Sequence, residues 1–241
     1  MSKAVQLLTK GMLLAATFVL CLPSFTSAYA GVAGGSDSRQ SLVGDTDLIP
    51  GRDYVEIRGG RPYLAGDRKI EVVEVFGYVC PACARFHPSV DRWASRLPPD
   101  VRFQYLPAPW GRDWDPYARG FYVAESMNLV PATHEALIKA IHVDNTMPGE
   151  GDSPTDTAVA KFYSRYGANE QAFLTQMHSF ATDTRMRRGR AFILSNGVEG
   201  TPTLIVAGKY RVVGKTYQDT LRIAGRLIDL ERSARGVAIR R

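Results

Sequence analysis

Val72-Val73-Glu74-Val75-Phe76-Gly77-Tyr78-Val79-Cys80-Pro81-Ala82-Cys83 joins an apolar run to a Cys-x-x-Cys pair. The run predicts a buried strand over about Ile70 to Tyr78, with a helix starting around Cys80. Pro81 suits the first turn of that helix, where an N–H would have no intrahelical partner. Two intervening residues at a helix start place both sulfurs within bonding distance and leave the first near the amide donors. The partial positive charge there favours a thiolate, the form that attacks disulfides. Cys80 and Cys83 therefore read as a dithiol/disulfide exchange pair.

Outward from this stretch, Tyr54 to Ile57 is a short strand candidate, and Gly59, Gly60, Gly66 and Asp67 mark a turn region. Pro88 should bend or break the active helix, and Leu97-Pro98-Pro99-Asp100 ends it before a strand over Val101 to Pro107. Tyr117–Met127, Pro131–Ile141, Pro154–Tyr166, Glu170–Ser179 and Ala181–Leu194 then carry helical spacing of apolar residues. Ser153 before Pro154 is a start signal and Gly167 a stop. Strands return over Pro202 to Ala207 and Tyr210 to Val213, and a last helix is expected from Tyr217 to Ala234. The fold class is α/β, a strand-helix-strand unit and a strand-hairpin-helix unit separated by a helical insertion.

The chain ends bound the setting. Residues 1–30 read as a signal peptide, with Lys3 and Lys10, an apolar stretch from Met12 to Leu22, and Ala28-Tyr29-Ala30 as the cleavage pattern. A lipid anchor at Cys21 is disfavoured by the bulky Phe18-Val19-Leu20 before it, and an uncleaved anchor by the shortness of the run. Export to an oxidising space allows a disulfide to persist. Residues 31–51, rich in Gly, Ser and Asp, read as a flexible mature N-terminus. Removing Lys3 and Lys10 lowers the formal charge from +6 to +4. Arg185, Arg187, Arg188 and Arg190, and the C-terminal Arg232, Arg235, Arg240 and Arg241, read as solvated surface rather than as a nucleic-acid or membrane patch.

Other readings of the cysteines are weaker. A structural disulfide across so small a loop stabilises little, because that effect grows with loop length. Zinc needs four ligands. Besides the two thiols the chain offers only His87, His134, His142 and His178, of which His87 shares a helix face with Cys83. His87 reads better as a surface or groove residue, Tyr78 as a groove residue, and Trp93, Trp110 and Trp114 as core or groove packing.

The Cys80-Pro81-Ala82-Cys83 motif after a strand, with Gly200-Thr201-Pro202 opening a later one, resembles the thioredoxin fold. The helical insertion and export signal narrow the resemblance to the periplasmic thiol-disulfide oxidoreductases of the DsbA type, across roughly residues 52–232. It implies a thioredoxin-like domain in two parts, 52–112 and 197–234, around the insertion at 113–196, with a basic tail at 235–241. It further implies that Cys80 is an exposed, low-pKa nucleophile and that Cys83 is its buried partner. Pro81 and Ala82 would tune the pair, and Thr201 and a cis Pro202 would bind substrate. Glu74 falls where a buried acid helps move protons at the second cysteine, although a half-exposed or ion-paired acid fits the residues equally well.

No cofactor or metal is implied. The partners would be unfolded or reduced exported proteins, together with a membrane redox partner for reoxidation; the protein would be a periplasmic monomer that binds no nucleic acid. Two positions depart from the pattern. Ala82 stands where these oxidases commonly carry His, and Thr201 where they often carry Val. Both keep open a reductase or isomerase in the same compartment, although the short N-terminal region leaves little room for a dimerisation module. A thiol-independent chaperone or binding module is the alternative from another class.

Overall fold

The computed structural model describes residues 48–64, 66 and 68–239, without the side chains of 237–239. Residues 1–30, expected to be a signal peptide, residues 31–47, Ala65, Asp67, and the terminal Arg240 and Arg241 lie outside the described residues. Strands β1 (Tyr54–Glu56), β2 (Ile70–Phe76), β3 (Val101–Pro107), β4 (Thr203–Val206) and β5 (Tyr210–Val212) form one sheet in the order β1-β5-β4-β2-β3. β2 and β3 are parallel, bridged by helix α1 (Pro81–Ala94), and the other pairs are antiparallel. β2 is buried along its whole length, Glu71 and Glu74 included, which explains why its other five residues are all apolar.

Helices α2 (Asp115–Ser126), α3 (Val130–His142), α4 (Asp156–Ser164), α5 (Glu170–Met177) and α6 (Phe180–Ser195) are inserted between β3 and β4, and α7 (Tyr217–Ile239) closes the chain. Side chains alternate across β2 and feed two cores. Ile70 and Val72 pack with Phe86 and Val90 of α1 and with Ile223 and Leu227 of α7. Val73 and Val75 pack with the inserted helices through Phe121, Tyr122, Met186 and Phe192. The active helix is thus held between the sheet and α7.

Several expectations are corrected. Pro88 sits inside α1, where it has no N–H to give the ladder, yet the helix continues to Ala94 with Phe86, His87 and Val90 buried on both sides of the proline. α4 begins after Thr155, whose hydroxyl accepts the Ala158 amide at 3.1 Å, rather than after Ser153. Leu48 already packs against the core, so the folded part starts before residue 52. α7 runs five residues beyond Ala234, and Arg235 donates to the Arg68 carbonyl at 2.5 Å instead of opening a tail. Arg232 pairs with Asp100 and Asp229.

Arg187, Arg188 and Arg190 lie at the surface as expected and Arg185 is half-buried, but three of the four also act as staples. Arg185 bonds Glu125 and the Tyr122 carbonyl, with its guanidinium over the Tyr122 ring. Arg188 bonds the Tyr63 carbonyl and lies over that ring, and Arg190 bonds the Pro109 carbonyl. Long stems and planar heads let these side chains tie α6 to α2 and to the segment before β2.

Buried Glu71 of β2 anchors the same segment. It accepts from the Tyr63 and Leu64 amides at 2.5 and 2.9 Å, from Arg102 at 2.8 Å and from Gln104 at 3.0 Å. Glu71→Ala strands those donors and should lower the stability of the oxidised protein by roughly 3 kcal/mol in urea denaturation, while leaving thiol reactivity intact.

Candidate active site

β2 ends at Phe76, and the chain turns through Gly77 before α1. The turn is tight because the Trp114 ring occupies the space a side chain at 77 would need, as close as 1.9 Å from the position of a Cβ. Tyr78 is buried rather than in a groove. Its hydroxyl meets His134 Nδ1 at 2.9 Å, and its carbonyl accepts from His142 Nε2 at 2.7 Å. The insertion thereby holds the turn from behind.

Cys80 is the N-cap of α1, in extended conformation, and its sulfur accepts the Cys83 amide at 3.3 Å. That role usually falls to a Ser, Asp or Asn oxygen. The cap position tucks the sulfur in: Cys80 is 7% exposed and Cys83 3%, so Cys80 is less open than the sequence reading expected. Both thiols are free. Pro81 is exposed at the first helical position, and Ala82 is half-buried behind it.

The loop before β4 brings the second half of the site. The Thr201–Pro202 peptide is cis, and the Thr201 carbonyl lies 3.5 Å from the Cys80 sulfur, within reach of a thiol proton. Residues 121 positions apart thus meet across the helix start. Thr201 and Pro202 are both half-buried.

The electrostatics separate the two sulfurs. A hydrogen bond from the Cys83 thiol, one from Thr201 and the amides of Cys83 and Ala82 together hold the Cys80 thiol down at about 6, against the opposing effect of burial. Burial first, then the neighbouring Cys80 sulfur, push the Cys83 thiol far up. Glu74, on β2, is 2% exposed, and its Oε2 has no hydrogen-bond partner. Burial and then the charge of Cys80 raise its carboxyl to about 8. It is neither half-exposed nor ion-paired. A protonated acid stands behind a sulfur that resists ionisation, beside one that ionises readily.

The histidines have other duties. His87 is buried, not at the surface, because α1 turns it inward against His134, with ring centroids 4.9 Å apart. Burial lowers its basicity, and lowers that of His134 to about 3, so both rings are neutral at pH 7. His178 meets the Asp156 carboxylate at 2.9 Å. Among the described residues no three His, Cys, Asp or Glu side chains gather as a metal-ligating group. Trp93 packs edge-on against Phe103, while Trp110 lies against Trp114 and is partly exposed. The sequence reading missed Tyr217, whose hydroxyl donates to the Ala82 carbonyl at 3.0 Å.

Comparison with known proteins fits this geometry. The chain is 37% identical over 191 residues to the thiol:disulfide interchange protein DsbA of Azotobacter vinelandii, a match covering 78% of this chain and 86% of that protein. The chain belongs to the DsbA family. The crystal structure of the oxidoreductase DsbA from Xylella fastidiosa superposes with a TM-score of 0.73 at 39% identity, over 77% of this chain and 98% of that one. Pseudomonas aeruginosa DsbA gives 0.71 at 34%, over 78% and 97%. No protein-family model matches the chain. As a member of the DsbA family it is a thiol-disulfide oxidoreductase with the thioredoxin fold.

A depressed Cys80 pKa has a definite consequence for stability. Folding favours the Cys80 thiolate, so the stabilisation of the reduced protein is complete above about pH 9. It is lost as pH falls, and is gone below about 6. The stability gap between reduced and oxidised protein should therefore widen in favour of the reduced form from pH 6 to 9. Thiolate absorbance at 240 nm should show a transition near 6; a transition near 9 would contradict this electrostatic picture.

Proposed function

We propose that this DsbA-family oxidoreductase donates a Cys80–Cys83 disulfide to reduced, unfolded exported proteins in the periplasm. The observation that carries the reading is the Cys80 sulfur acting as helix cap, which stabilises the reduced, thiolate form. A dithiol that is stable when reduced makes a disulfide eager to be reduced, and so an oxidant of other thiols. Residues 1–30 supply the export signal, and no described helix is long and apolar enough to cross a membrane.

In the oxidised state a substrate thiolate attacks the Cys80 sulfur. A substrate–Cys80 disulfide forms, the Cys80–Cys83 bond breaks, and Cys83 leaves with the electron pair. Glu74, protonated at neutral pH, gives its proton to the Cys83 sulfur, whose thiolate is unfavourable in this buried place. The substrate's second thiolate then attacks its own sulfur in the mixed disulfide. Cys80 departs as a thiolate, a good leaving group because its pKa is low. Thr201 and Pro202 flank the sulfur and offer backbone against which the substrate chain lies. Two electrons move from substrate to protein in each cycle, and a membrane redox partner takes them up. Pro81 and Ala82 keep the cap geometry, and the protein acts as a monomer without a cofactor.

The test is oxidative refolding of a reduced, denatured protein whose activity depends on its disulfides. Oxidised wild type should restore activity and Cys80→Ser should restore none. Cys83→Ser carrying a Cys80–glutathione disulfide should exchange glutathione for a reduced substrate with a single cysteine and accumulate the substrate–Cys80 mixed disulfide. A Cys80→Ser protein with full activity would sink the assignment. Glu74→Gln, which removes the proton donor but keeps the shape, should slow the step that releases Cys83 by about a hundredfold at neutral pH, read by stopped-flow Trp fluorescence.

A further inference from the structure

The Cys83 amide that donates to the Cys80 sulfur belongs to the same peptide group as the Ala82 carbonyl. That carbonyl accepts a hydrogen bond from the Tyr217 hydroxyl at 3.0 Å, while the amide donates to sulfur at 3.3 Å. Hydroxyl, carbonyl, amide and sulfur make one continuous chain of donors and acceptors. Hydrogen bonds in such a chain polarise one another: a donor on the carbonyl draws electron density from the amide nitrogen and strengthens its N–H as a donor. The geometry points to Tyr217 as a positioning residue of the active site, whose hydroxyl strengthens the Cys83 amide as the partner of the Cys80 thiolate.

Tyr217 is well placed for this. It is the first residue of α7, and its ring packs against Phe86 of α1 with centroids 5.1 Å apart, which fixes the direction of the hydroxyl. The ring also lines a cavity of about 400 Å³ whose wall includes Pro202 of the loop opposite. The dipeptide between the cysteines carries Ala82, whose side chain offers no donor. A donor from α7 acts on the same peptide from the other side.

The inference rests on Cys80 being the reactive sulfur. The titratable groups that interact with Cys80 are Cys83 on α1 and Glu74 on β2. The cis-proline loop and the start of α7 bring the hydroxyls of Thr201 and Tyr217, with Lys215 on the cavity wall. Glu74 and Cys83 are common to wild type and to any Tyr217 variant, so differences between the two proteins report on the hydroxyl.

The experiment compares full-length wild type with Tyr217→Phe, which keeps the ring. The Cys80 ionisation constant, read from thiolate absorbance at 240 nm, should fall about threefold to tenfold, the range of a single net hydrogen bond or less. The equilibrium constant against glutathione at pH 7 should move towards the oxidised protein by a similar or smaller factor. At pH 4, where Cys80 is protonated, Tyr217→Phe should destabilise reduced and oxidised protein alike; at pH 8 it should destabilise the reduced protein more. A tyrosine at 217 bearing fluorine beside the hydroxyl, a stronger donor, should shift the ionisation constant the opposite way. A purely structural Tyr217 would produce neither the pH-dependent difference nor the opposite signs. An ionisation constant unmoved by both substitutions, in a protein whose wild-type Cys80 titrates near 6, overturns the role of Tyr217. A wild-type Cys80 titrating in the ordinary cysteine range overturns the reading of the site itself.

Discussion

A helix that starts at the end of a buried strand leaves its first amides without backbone partners, and here the Cys80 sulfur fills that place. The same contact closes the helix start and stabilises negative charge on sulfur. β2 delivers the chain to this point from the middle of the sheet, and α7 and the inserted helices clamp it from two sides. The cap is satisfied best when Cys80 is a thiolate, a form that exists only when the pair is reduced. Chemistry and fold therefore favour the same redox state.

The surroundings sharpen this asymmetry. Cys83, one helical turn on and more deeply buried, has its proton held by burial and by the neighbouring sulfur. Glu74 is kept protonated to about pH 8 in the same low-dielectric place, so a proton is at hand where one is needed. Neutral, buried His134 takes the Tyr78 hydroxyl and adds no charge to the site, while His142 donates to the Tyr78 carbonyl. One sulfur ionises because the Cys83 thiol, Thr201 and the helix-start amides hydrogen-bond it, and its neighbour does not because burial and the adjacent sulfur oppose it.

The local part of this arrangement was legible in the amino-acid sequence. A largely apolar run, a proline at the first helical position and two cysteines three apart specify strand, helix start and dithiol through interactions within a few residues. The five inserted helices were legible from their periodicity, with errors of a few residues where a cap such as Thr155 competes with a nearby Ser-Pro signal. What escaped depends on contacts between distant segments. Tyr217 and Ala82 are 135 positions apart, and nothing near Tyr217 marks it as more than the start of a helix. His87 and Tyr78 read as groove residues where α3 in fact packs over them, and the surface arginines of α6 gave no sign of the carbonyls and rings they reach. Alternation and spacing report which way a side chain faces, but not what the fold puts opposite it.

The central claim is that the helix cap makes the Cys80–Cys83 disulfide oxidising even with Ala82 between the cysteines. The equilibrium of the pair against a glutathione redox series, read by thiol trapping, tests it most directly. The account expects a potential well on the oxidising side, towards about −120 mV, a reference value for DsbA rather than one read from this site. A potential near the thioredoxin value of about −270 mV would mean that the cap does not stabilise the reduced form, and would contradict a disulfide donor.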